Sequence, residues 1–136
     1  MSRPLYLAAV VAISACASQA PPPPATALEG TQWRLSDLGG RKALDGTNMR
    51  FDANNVEARG NTGCNAFFGR YELDGGRLRF GPIAATRRAC GGDVDQQESA
   101  FLKALGDTRT WRIAGNTLIL RGNAGDLARF AGLPRK

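Results

Sequence analysis

The chain has 136 residues, with 18 Lys and Arg against 12 Asp and Glu, no His, and a formal charge of +6. That length suits one domain with an ordinary core and leaves no room for a second. The lack of histidine excludes Ser-His-Asp and Cys-His nucleophile systems, His-ligated zinc and imidazole acid–base chemistry, and three Cys are too few for an all-thiolate zinc site.

The N-terminus reads as an export signal. Arg3 precedes an apolar run from Leu5 to Ile13, and small residues follow in Ser14-Ala15-Cys16-Ala17. A positive start, a short apolar stretch and a small-residue cleavage zone compose a secretory signal peptide, and the run is shorter than the roughly 20 residues of a spanning helix. Two cleavage points fit. Ile13-Ser14-Ala15-Cys16 resembles the lipobox of bacterial lipoproteins, making 1–15 the signal peptide and Cys16 the lipidated first residue. Ala15-Cys16-Ala17 also fits an A-x-A site, which would release an unlipidated, secreted or periplasmic chain beginning at Ser18. The lipobox is preferred because a tether-like stretch follows: Pro21-Pro22-Pro23-Pro24 favours extended polyproline II. Residues 16–27 would then space a domain from a membrane, the alternative being a remnant without a role. Ala17 stands in place of the Asp associated with inner-membrane retention, so the expected address is the outer membrane, facing the periplasm.

Beyond the tether, period-two patterns dominate. Trp33/Leu35, Met49/Phe51, Val56/Ala58, Tyr71/Leu73, Leu78/Phe80 and Trp111/Ile113 each alternate with polar residues, and Leu118 to Leu120 follow a turn at Gly115-Asn116. Asp74-Gly75 is a hairpin signal, because tight turns demand positive φ. One segment, Asp93 to Gly106, has helical spacing in Val94, Phe101, Leu102 and Leu105. Asp95 followed by Glu98 predicts a capping box, and Gly106 a C-terminal cap. Asp126 to Ala131 fits neither period and predicts a bulged strand. The expected fold is α+β: an antiparallel sheet of about seven or eight short strands forming a partly closed barrel, with one helix at about 93–106 packed on it.

With Cys16 taken by lipid, Cys64 and Cys90 remain in a compartment that permits disulfides. A bridge is expected, with two buried free thiols as the alternative. Nothing has the Cys-x-x-Cys spacing of a catalytic dithiol.

The most individual stretch contains Gly63-Cys64-Asn65, Gly69-Arg70-Tyr71 and Thr86 to Cys90, followed by Glu98 with Phe101 and a closing hairpin from Trp111 to Leu120. With the opening Leu28-Glu29-Gly30-Thr31-Gln32-Trp33, this resembles the META domain, the HslJ-like family of bacterial envelope lipoproteins, over residues 28–133. Arg88 departs from the pattern, since similar sequences often carry Met there. The resemblance implies a compact α+β domain without established catalysis or cofactor, linked by family naming to heat shock and envelope stress. Gly63, Asn65, Gly69, Tyr71 and Thr86 are expected to be structural, with Gly63 and Asn65 at a tight turn that Cys64 pins to the segment before the helix; the alternative is a binding site built from the same turn.

Three classes of function compete. For an enzyme, Ser36 and Ser99 have no histidine base, and the acids stand scattered at alternating positions such as Asp52, Glu57 and Glu72, so a carboxylate hydrolase is the weakest reading. For nucleic acid, the arginines are dispersed along strands and export removes the chain from cytoplasmic DNA. The same charge suits anionic envelope components, with Arg77, Arg79, Arg87 and Arg88 as the candidate patch, but an ordinary Arg-rich exterior is the preferred reading of these residues. The remaining class is a non-enzymatic, membrane-tethered binding or assembly module for an envelope protein or anionic component, with a small-ligand carrier or protein-inhibitor-like module as the alternative.

Overall fold

The computed structural model describes residues 27–134. The predicted signal peptide, Cys16 and the proline run lie outside the described residues. Ten strands and one helix follow in chain order: β1 (Gln32–Leu38), β2 (Arg41–Lys42), β3 (Thr47–Asp52), β4 (Glu57–Thr62), β5 (Ala66–Asp74), β6 (Arg77–Phe80), β7 (Ala84–Ala85), α1 (Gly92–Asp107), β8 (Thr110–Ala114), β9 (Thr117–Gly122) and β10 (Gly125–Leu133).

All pairings are antiparallel. The sheet runs β10-β9-β8-β6-β5-β4-β3-β1, and β1 pairs again with β10, so hydrogen bonding returns on itself through eight strands. The β6–β8 link is the thinnest part of this ring, with the single register pair Arg77↔Thr110. The two-residue strands β2 and β7 hang from β1 and β5 and account for the excess over the predicted number.

Alternation along the strands places Trp33, Leu35, Met49, Phe51, Phe67, Tyr71, Leu78 and Trp111 inside, all at most 4% exposed. Helix α1 packs against β4, β6, β9 and β10, strands from different parts of the ring. Its Phe101, Ala104 and Leu105 are buried. Phe101 meets Phe67 edge-on at 5.4 Å and Phe130 at 6.3 Å, tying opposite walls together through the helix.

Several local expectations need correction. Val56 is not in a strand: it is exposed, with φ 51°, and ends the turn before β4. The helix begins earlier than the predicted capping box, with Gly91 as its N-cap. Gly91 and Gly92 both take positive φ, which carries the chain into the helix ahead of Asp95. Asp95 instead accepts the Cys90 and Gly91 N–H groups, each at 3.0 Å, from inside the first turn. Gly106 is helical, and Thr108 ends the helix: its N–H bonds the Leu105 carbonyl and its Oγ1 the Ala104 carbonyl. The predicted bulge is present as a register shift between Asp126 and Ala128.

Candidate functional site

Two polar regions stand on the β4–β5 hairpin. The first assembles most of the sequence motif. Asn65, 1% exposed, follows Gly63 (φ 97°) in the turn. Its Oδ1 accepts from Thr86 Oγ1 (3.0 Å) and the Arg88 N–H (2.7 Å). Its Nδ2 donates to the Arg88 carbonyl (2.9 Å) and to Glu98 (2.8 Å to Oε2). Both acceptor positions and both amide hydrogens are therefore used. Glu98 also accepts from Thr62 Oγ1, which in turn accepts the Asn65 N–H at 2.9 Å. The Cys64–Cys90 disulfide closes the same region. Glu98, read from sequence as half of a capping box, is the helix's contribution to this junction.

Arg88 resolves the departure noted in the sequence. Its side chain is exposed and its Nη2 donates to the Cys64 carbonyl at 2.8 Å, so the arginine lies over the turn without entering the core. Gly69 is required by close approach: a Cβ there would lie 3.0 Å from the Pro82 carbonyl oxygen and against Ile83 Cδ1. Tyr71 is buried, edge-on to Phe51 at 5.2 Å, with its hydroxyl 3.3 Å from the Asp52 carbonyl. Burial pushes the Tyr71 phenol above its usual range, and the negative charges of Glu29 and Asp52 add to that.

The arginines singled out from sequence do not form one patch. Arg77 and Arg79 face Asp74 and Glu72 across β5–β6. Arg87 and Arg88 follow β7 at the other end of β5, beside Cys64 and Asn65. About eight strand residues, or roughly 26 Å at 3.3 Å each, separate the two pairs.

The second polar region is on the outer face of β1, β3, β4 and β5. Cross-strand register produces one row: Leu133, Gln32, Arg50, Arg59, Phe68. Arg50 and Arg59 are directly opposite, an arrangement that ordinarily destabilises a sheet. Glu57 pairs with the Arg59 guanidinium, yet Arg59 Nε is buried and has no partner among the described residues. Neither Arg34 nor Arg50 has a carboxylate within 4 Å among the described residues. Phe68 is 54% exposed. These residues line a groove of about 820 Å³. Gly60 lets β3 cross β4 closely there, since a Cβ would overlap the Asn48 carbonyl.

A second cleft of about 670 Å³ lies between α1 and the β2 side, lined by Arg41, Lys42 and Lys103 as well as by Asp93, Asp107 and Asp126. Its charges are mixed. Partial burial raises the Asp126 carboxyl, but hydrogen bonds from Arg129 and Arg121 outweigh it and leave the group below its ordinary range. Asp52 is lowered mainly by the Asn54 N–H it accepts in its turn.

The sequence pattern described as META domain matches residues 26–134, which spans the whole ring and the helix. The chain belongs to the META domain family. Three solved structures share the fold. An NMR structure of a protein from Burkholderia xenovorans is 26% identical with TM-score 0.69, covering 94% of this chain and 100% of that one. A second NMR structure is 17% identical with TM-score 0.63, covering 78% and 92%. A crystal structure of a DUF4847 family protein from Bacteroides vulgatus is 12% identical with TM-score 0.59, covering 82% and 97%. No curated protein matches the chain. In this META domain the Gly-Cys-Asn turn, Thr86 and Glu98 form the internal junction, whereas Arg34, Arg50, Arg59 and Phe68 belong to no part of the motif. The signal that could have located the row is the Asn54-Asn55 turn, since a hairpin centred there sets Arg50 opposite Arg59.

Proposed function

We propose that this META domain protein is a non-catalytic binding module of the cell envelope, anchored through an acyl group on Cys16, spaced by residues 16–27, and supporting tolerance of envelope stress and antibiotics. The binding reading is carried by the row Arg50–Arg59–Phe68, which leaves Arg50 without a carboxylate and Phe68 exposed, whereas among the described residues the only buried side-chain polar atom without a partner is Arg59 Nε in that same row. Export draws on the N-terminal sequence and on Cys64–Cys90, a bond suited to an oxidising compartment. The non-catalytic reading draws on the ionisable groups: the two carboxylates with lowered pKa, Asp52 at the end of β3 and Asp126 at the start of β10, stand on different strands, each explained by local hydrogen bonds.

Intact mass of the protein extracted from membranes tests the anchor. The expected species begins at Cys16, carries acyl mass and lacks the two hydrogens of the disulfide thiols. An unprocessed, fully reduced chain in the soluble fraction contradicts the proposal. Deleting the gene should impair growth under heat, detergent and hydrophobic antibiotics; unchanged growth under all three contradicts the stress role.

A further inference from the structure

We infer that the groove over β1, β3, β4 and β5 binds a single-chain amphiphile with a phosphate monoester head. This rests on the binding-module reading and assigns its ligand class. Arg50 and Arg59 face each other across β3–β4, about 4.8 Å of strand spacing apart, without a carboxylate between them in the row. An anion between the two guanidinium groups relieves the repulsion of such a pair, taking paired N–H donors from Arg50 and the Arg59 N–H groups that Glu57 does not hold. Arg34 lines the same groove. Three arginines against the single acid Glu57 leave two net positive charges in the lining. That matches a phosphate monoester, at about −1.5 to −2 near neutral pH, better than a singly charged carboxylate.

The apolar part of the ligand follows from the next strand. Phe68 is opposite Arg59 in register and more than half exposed, and Ala66, the adjacent outward residue on β5, lines the groove with it. An acyl chain leaving the Arg50–Arg59 pair thus meets an aromatic face one strand away, while its head keeps the charge contacts. The volume, about 820 Å³, falls in the range of roughly 300–1,000 Å³ that holds small molecules.

The test is residue-resolved amide NMR of the full chain titrated with three probes: dodecyl phosphate and dodecyl maltoside, both below their micelle concentrations, and inorganic phosphate. Dodecyl phosphate is expected to shift amides around Arg34, Arg50, Arg59 and Phe68 and to bind at least about tenfold more tightly than either other probe. Replacing Arg50→Gln together with Arg59→Gln should weaken it by about tenfold or more. Phe68→Ser should weaken dodecyl phosphate and leave inorganic phosphate unchanged. Because these side chains lie on the outer face, retention of the dispersed native spectrum shows that each variant is folded. Equal binding of dodecyl maltoside with no effect of the arginine changes would overturn the inference while leaving a binding groove in place. Equal binding of inorganic phosphate, shifts confined to residues outside the groove, or no shift with any probe would also overturn it. The anchor is decided separately, by the mass of the Cys16 end.

Discussion

The two polar regions of the β4–β5 hairpin are close neighbours with opposite construction. Thr62 lies three residues from Arg59 on β4, and Asn65 lies three residues from Phe68, so about 10 Å of strand separates them. At the turn, Asn65, Thr62, Thr86 and Glu98 bond to one another and to backbone. On the outer face, two arginines oppose each other and an aromatic ring meets solvent. Polar groups matched inside the chain serve the fold, because removing one leaves its partners buried and unmatched. Groups whose arrangement is unfavourable for the isolated domain gain only from something outside it. The family motif marks the first region, so the residues that identify a META domain describe its fold and not its outer face.

Removing the junction should have the largest effect. Asn65→Ala strands the Arg88 N–H and carbonyl, Thr86 and Glu98, and is expected to cost about 3 kcal/mol or more in urea unfolding. If the loss is under about 1 kcal/mol, the junction is not the structural element described. Cys64→Ala with Cys90→Ala opens a cross-link of sequence separation 26. The expected cost is about 3 kcal/mol, read as a lowered denaturant midpoint.

A smaller effect is confined to alkaline pH. The Tyr71 phenol is raised above 10.0 in the folded state, so the folded chain holds that proton longer than the unfolded chain. Its contribution is complete below pH 10.0 and is lost as pH rises through the folded-state value. Tyr71→Phe should flatten this alkaline decline in unfolding free energy; an unchanged slope would assign the decline to other groups. Smallest of all, Phe68→Ser on the outer face should change stability by no more than about 0.5 kcal/mol. A larger loss would mean that the ring supports the sheet and is not held open for a ligand.

Much of the fold was legible because core-facing alternation survives in short strands: Trp33/Leu35, Met49/Phe51, Tyr71/Leu73 and Trp111/Ile113 all lie where period two places them. The pairing of Cys64 with Cys90 was legible from the count of cysteines once Cys16 is set aside, together with an expected oxidising compartment. Local rules failed where tertiary geometry decides. Asp95 and Glu98 have capping-box spacing, but two glycines start the helix sooner and Glu98 is drawn to Asn65. Val56 has strand propensity, yet the turn after Asp52 takes it at positive φ while its carbonyl accepts the Tyr71 N–H. Proximity along the chain suggested grouping Arg77, Arg79, Arg87 and Arg88, whereas register separates them and brings Arg50 to Arg59. A row across strands is set by pairing, and no short window of sequence contains it.

The central claim is that the junction holds the domain together while the outer row is free to act on a ligand. Urea unfolding of the Arg50→Gln, Arg59→Gln double variant beside Asn65→Ala tests this most directly. The account predicts that the double variant stays near the parent midpoint, because relief of the like-charge pair offsets the lost Glu57–Arg59 contact, while Asn65→Ala falls well below it. A double variant that falls as far as Asn65→Ala would show that the arginines are part of the scaffold and contradict the account.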